Sequence, residues 1–226
     1  MSEQPPFMHR RKYELLLAAL VQHLFIGVLI PDLMFYARWV WPVNMVLLGV
    51  LSVGVFADRD STQRTLKHML HAAVVLLAAV PMLYGPAPQV MIGLSVCYTA
   101  FFALIGVQVL RYLLRPSYIS IDIVLAAMCG YLLLLESSIF SMQALWYAVP
   151  GSFRGLDESS FPATYLDFVY LCSITLTSTG FGDVTPSHHI TKLAVSVMSI
   201  LGNFYSVVLM GVLISKYTSH TAPTER

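Results

Sequence analysis

Long apolar runs separated by short polar stretches dominate this chain. A helix needs about 20 apolar residues to cross a bilayer core about 30 Å thick. Five segments meet that requirement: Tyr13–Ile30, Phe35–Phe56, Leu66–Tyr84, Val90–Leu114 and Ile119–Val149. A sixth runs from about Ile190 to Tyr217. Thr185-Pro186 is expected to start it, Thr as the cap and Pro at the first helical position. Pro150–Pro186, between the fifth and sixth spans, is too long for a turn. It opens as the polar stretch PGSFRGLDESSFP and continues as ATYLDFVYLCSITL, 14 residues that read as a helix too short to cross. It ends as TLTSTGFGDVTP. The pattern predicts a re-entrant piece, in which a half-helix enters from one side and extended chain returns. Unpaired backbone is tolerated at membrane depth only where it is buried in protein or lines a watery path. The glycines of this stretch must therefore face a pore, a cavity or a partner subunit.

Composition narrows the class. Of 226 residues, 57% are hydrophobic and 11% charged, against about 25% charged in an average soluble domain; an ordinary soluble protein is excluded. A net charge of +1 without a basic patch argues against a nucleic-acid partner. No short apolar region with a small-residue cleavage site opens the chain, so the first span is read as retained. Six crossings put both termini on one side. A cytoplasmic assignment leaves ten Lys or Arg inside and only Arg38, Arg154 and Lys192 outside, as the positive-inside rule requires. Cys97, Cys129 and Cys172 lie scattered in apolar runs and read as small buried hydrophobes. No clustered Ser/His, paired Asp or His ligand set sits within the spans, so neither an enzyme nor a bound cofactor is expected.

The chemistry concentrates in Thr175–Pro186. Stripping water from a potassium ion requires other oxygens at matching distance and field strength, which backbone carbonyls supply when successive residues aim them at one axis. Such a backbone needs φ > 0 at intervals, as at Gly180 and Gly182. Ser178 is placed to add a hydroxyl at the inner end. One strand cannot surround an ion, so four copies must converge.

S-T-G-F-G-D, with the T-x-T before it, resembles the selectivity filter of potassium channels, T-V-G-Y-G-D, and its G-F-G-D variant in two-pore-domain channels. The chain as a whole resembles bacterial six-span potassium channels without a voltage sensor, and the pore match covers about Ala163 to Tyr217. The resemblance implies an all-α membrane protein: six transmembrane helices with a re-entrant pore helix and filter loop, forming a homotetramer in the bacterial inner membrane. Residues 1–12 are a cytoplasmic N-terminus and 13–115 a peripheral four-helix domain. Residues 116–217 form the pore domain, with outer helix 119–149, pore helix 163–176, filter 178–183 and inner helix 187–217. Residues 218–226 are a cytoplasmic tail too short for a regulatory domain. K⁺ is the permeant ligand, coordinated by Ser178, Thr179, Gly180, Phe181 and Gly182. Filter support falls to Thr175, Thr177, Tyr170, Asp183 and Glu136. A less selective monovalent cation channel is the alternative, because Ser178 stands where Thr is usual and Thr179 where Val or Ile is usual.

Side-chain expectations follow. Tyr170 and Leu171 occupy positions where many relatives carry Trp, so a Tyr170–Asp183 hydrogen bond and a purely apolar Phe181 contact are expected. The Thr179 hydroxyl needs a partner, from Thr175 or a pore-helix carbonyl. Glu136, about 26 Å along the fifth span at 1.5 Å per residue, is either a brace hydrogen-bonded to the pore helix or a packed, protonated carboxyl. Asn203 either faces the central cavity or makes an interhelical hydrogen bond. Gly202, where the family's hinge glycine falls, is a hinge or a site of close packing, and Gly211 reads as packing. His188 and His189 are external proton sensors or solvated residues. Gln22, His23, His68 and His71 are expected to be satisfied by neighbouring helices. The fourth span carries Arg111 only near its end and Arg115 beyond it, which is an anchor and not a voltage-sensing ladder. Only Arg115-Pro116-Ser117-Tyr118 joins the fourth and fifth spans, so the tetramer is expected to be non-domain-swapped.

Overall fold

The computed structural model describes residues 11–52, 55, 72, 87–114 and 121–221, with side chains in the last helix to residue 209 and at 211. The third predicted span with His68 and His71, the Arg115–Tyr118 linker and the cations Arg10, Arg59, Arg64, Lys67 and Arg226 lie outside them. Helices α1 (Lys12–Phe25), α2 (Leu33–Ser52), α3 (Pro88–Leu113), α4 (Ile121–Ala148), α5 (Phe161–Leu176) and α6 (His189–Thr221) are joined by short connections wherever both ends are described. All but α5 are long and apolar enough to cross a membrane, α1 by continuing as a 3₁₀ turn to Leu29 and α6 over its stretch to Leu209. The predicted boundaries hold to within a few residues for the first, fourth and fifth spans.

Local chemistry accounts for the starts. Asp32 caps α2, its Oδ1 accepting the amides of Met34 at 3.0 Å and Phe35 at 2.9 Å. The second turn of α2, Tyr36–Val40, is a π-helix, and Pro42 comes two residues after it. A proline inside a helix lacks the amide and crowds the carbonyl four residues back, and a wide turn relieves both. Ser160 caps α5 through Ala163 N, and Pro162 sits in its first turn where no amide is needed. The half-helix thus begins two residues earlier than predicted.

One predicted start is corrected. Thr185-Pro186 does not open the last helix. The two residues form strand β2 (Thr185–Pro186), antiparallel to β1 (Phe153–Arg154), with Phe153 opposite Pro186 and Arg154 opposite Thr185. Proline is acceptable on a two-residue edge strand, where its missing donor faces outward. The helix starts at His189, and His188 Nδ1 accepts the Ile190 amide at 3.4 Å.

Helix α4 sits at the centre, packed against α3, α1, α5 and α6. Tyr98, Phe102, Phe140 and Tyr165 bring rings from α3, α4 and α5 together, with the Phe102 and Phe140 rings stacked at 5.7 Å. On the other side, Tyr205 of α6 donates to the Ala127 carbonyl at 2.7 Å and lies so close to Gly130 that a Cβ there would meet its hydroxyl. The small residue in α4 is what lets the ring in.

Candidate functional site

Helix α5 ends at Leu176, and the next residues fold back on its end. The amide of Ser178 donates to Thr175 O at 3.0 Å, and those of Thr179 and Gly180 donate to Ile174 O at 2.8 and 3.1 Å. These donors satisfy carbonyls that a helix terminus leaves open. Meanwhile no described residue donates to the carbonyls of residues 178–182. The backbone alternates in hand: φ is 58° at Ser178, 55° at Gly180 and 84° at Gly182. Two of these positions are glycines, which adopt that region at little cost. Ser178 is the single non-glycine there among the described residues.

The predicted Tyr170–Asp183 hydrogen bond is present, the phenol donating to Oδ2 at 2.7 Å. It holds the Asp183 carboxyl below the usual carboxylate range. Phe181 has the apolar contact expected of it, its ring parallel to that of Tyr170 at 6.4 Å. Its side chain is otherwise 72% exposed.

The hydroxyl partners differ from expectation. Thr175 turns back on its own helix, donating to Leu171 O at 2.7 Å. Thr179 instead pairs with Thr177 across 3.1 Å, and Thr177 lies 2.8 Å from Ser173 O. A helical threonine bonds its i−4 carbonyl by default, whereas Thr177 stands just past the helix end and serves both sides. Asn203 reaches the loop of alternating hand: Ser178 Oγ donates to its Oδ1 at 3.2 Å.

Gly202 is a close-approach position. A Cβ there would lie 2.9 Å from Leu176 O and 3.1 Å from Leu176 Cα, which seats α6 on the end of α5. At Gly211 nothing among the described residues comes within 4 Å, so the packing expected there is not seen among them. Glu136 is fully buried, but it makes no hydrogen bond to α5. Its near neighbour is His23 Nε2 of α1 at 3.8 Å, and that same nitrogen lies 3.4 Å from the Tyr165 hydroxyl of α5. The hydrogen-bonded brace is therefore not made, which leaves the other reading, a packed carboxyl. Gln22 donates to Asn44 of α2 at 3.1 Å, as expected of a polar residue inside a span. The rings of His188 and His189 lie 4.1 Å apart, and His188 serves the start of α6.

Sequence reasoning missed the clasp around the loop's outer end. Ser187 N donates to Ser152 O at 2.8 Å, and Thr191 Oγ1 donates to the same carbonyl at 2.9 Å. Gly155, at φ 85°, lies against Asp183 O so closely that any Cβ would collide with it. A glycine in a polar loop carries no signal of such contact; only the spacing of the paired strands reveals it.

Residues 122–219 match a family model described as "Ion channel". The match takes in α4, the clasp, α5, the alternating loop and nearly all of α6, somewhat under half of the chain. Comparison with curated proteins and with solved structures gives no match. The match and the apolar helices support a multi-pass membrane protein with an ion-channel pore.

Proposed function

We propose that the chain forms a homotetrameric, potassium-selective channel without a voltage sensor of its own. K⁺ passes down its gradient between the carbonyls of Ser178, Thr179, Gly180, Phe181 and Gly182. The observation that carries this reading is the division of the loop's polar groups. Amides 178–180 are given to the end of α5, while the carbonyls of 178–182 accept nothing from the described residues. Free carbonyls on a backbone of alternating hand are what a dehydrated cation needs, and in a membrane they must meet an ion, water or protein. Tyr170 and Asp183 support the outer end, and α5 turns the negative end of its dipole toward the axis below it. Glu136 packs beside His23, whose Nε2 also lies near the Tyr165 hydroxyl of α5. Arg111 at the end of α3 anchors the helix to the cytoplasmic side, where both termini lie. The peripheral helices sit on their own subunit's pore, so the tetramer is not swapped.

The test is ion flux into liposomes holding the purified protein. K⁺ uptake far above Na⁺ uptake supports the reading. Equal uptake of the two supports the less selective cation channel that Ser178 and Thr179 would favour. No uptake of either overturns both.

A further inference from the structure

We infer that Asn203 is a positioning residue: it takes the Ser178 hydroxyl proton and so sets the innermost ion site of the filter. The inference rests on the reading that residues 178–182 hold K⁺. A hydroxyl has one proton and two lone pairs. To coordinate a cation it must present its lone pairs, and its proton must point to another acceptor. Where threonine stands in related filters, the second substituent on Cβ restricts χ1. Ser178 lacks that substituent, so the direction of its oxygen needs another determinant.

The structure supplies one. Ser178 Oγ lies 3.2 Å from Asn203 Oδ1, with the serine as donor. Asn203 is within reach because Gly202, beside it, lets α6 close on Leu176 at the end of α5. Ser178 also holds a φ of 58°, a region that L-residues avoid and that persists where surrounding contacts impose it. Its amide is tied to Thr175 O at 3.0 Å. Backbone and side chain are thus both fixed, one from α5 and one from α6. This gives Asn203 a role distinct from lining the cavity: exchanging it should act on the ion only through Ser178.

Ba²⁺ is the probe, a divalent ion close to K⁺ in size that oxygen cages hold more firmly. Block of K⁺ flux by Ba²⁺ from the cytoplasmic side is measured in liposomes for the wild type and for Asn203→Leu and Asn203→Ala. Each substitution is made alone and combined with Ser178→Thr or Ser178→Ala. Losing one neutral hydrogen bond corresponds to about a five-fold change in binding, so each Asn203 variant alone should weaken block by about five-fold or more. In the Ser178→Thr background the restricted rotamer should rescue block, and in Ser178→Ala the Asn203 exchange should change nothing further. The same fold-change in all three backgrounds, or none in the wild-type background, overturns the inference while leaving the channel reading intact. A wild type that carries no K⁺ overturns the channel reading, and the inference with it. Two Asn203 variants guard against one failing to fold.

Discussion

Helices α4 and α6 both pack on α5, and they differ sharply in what surrounds them. In the most apolar stretch of α4, 61% of the residues are buried, against only 11% in that of α6. Exposed apolar side chains alone teach little, because lipid tails solvate Leu201 or Val208 as well as a neighbouring helix would. The polar groups decide. Along α4, Ser137, Ser138 and Ser141 each donate to the carbonyl four residues back, at 2.8, 2.8 and 2.6 Å, as Ser196 and Ser206 of α6 do at 2.9 and 3.1 Å. Beside α6 stand the carbonyls of residues 178–182, which accept nothing from the described residues, and the exposed Asn203. Lipid cannot serve those groups, but an aqueous axis shared by several copies can. On the proposed reading, α4 is the helix covered within its own chain and α6 the one left for the other copies.

The largest break in that comparison should come at the glycines of alternating hand. Gly180→Ala and Gly182→Ala place an L-residue where φ is 55° and 84°, at about 1–2 kcal/mol per chain, repeated in each copy. K⁺ flux should fall to background in liposomes, while α4 and its contacts stay intact. Next is the clasp. A Cβ at Gly155 would meet the Asp183 carbonyl, which is backbone and cannot swing away. Gly155→Ala should therefore lower thermal stability and flux together. At the α4–α6 contact, Gly130→Ala should destabilise by about 1–3 kcal/mol through overpacking against Tyr205. Adding Tyr205→Phe removes the clashing hydroxyl and should restore part of the loss, read as a melting temperature in detergent.

The smallest effects concern Tyr170 and Asp183. Tyr170→Phe removes one exposed hydrogen bond, which solvent largely replaces, and should shorten channel openings without abolishing flux. The sign of the pH dependence follows from the lowered Asp183 pKa. Stabilisation from that carboxylate is complete above the ordinary aspartate value of about 3.9 and is lost as pH falls through the lower native value. Flux should therefore be flat from about pH 7 to about pH 5 and fall only below about pH 4. The measurement is best made with His188→Gln/His189→Gln, which removes the two imidazoles beside the loop.

What the sequence made legible is the part governed by local chemistry. Apolar run length marks the spans, the T-x-T-S-T-G-F-G-D order marks the loop, and two aromatic positions mark the Tyr170–Asp183 bond. What it hid are pairings between distant segments. Thr185-Pro186 has the composition of a helix start, yet β1, 31 residues earlier by the Arg154–Thr185 pairing, recruits it as a strand. Glu136 looks like a partner of α5, yet His23, from the first helix, stands between them. Gly155 and Gly130 look like any loop or helix glycine until Asp183 and Tyr205 are seen against them. Periodicity reports which face of one element is apolar and says nothing of which residue on another element will meet it.

The most direct test of the central claim is a density map of the purified protein along its symmetry axis, first in K⁺ and then in Na⁺. The account predicts four copies, with a column of ion density in K⁺ ringed by the carbonyls of residues 178–182 and altered in Na⁺. An assembly with no such axis, or a loop whose carbonyls turn away from it in K⁺, would contradict it.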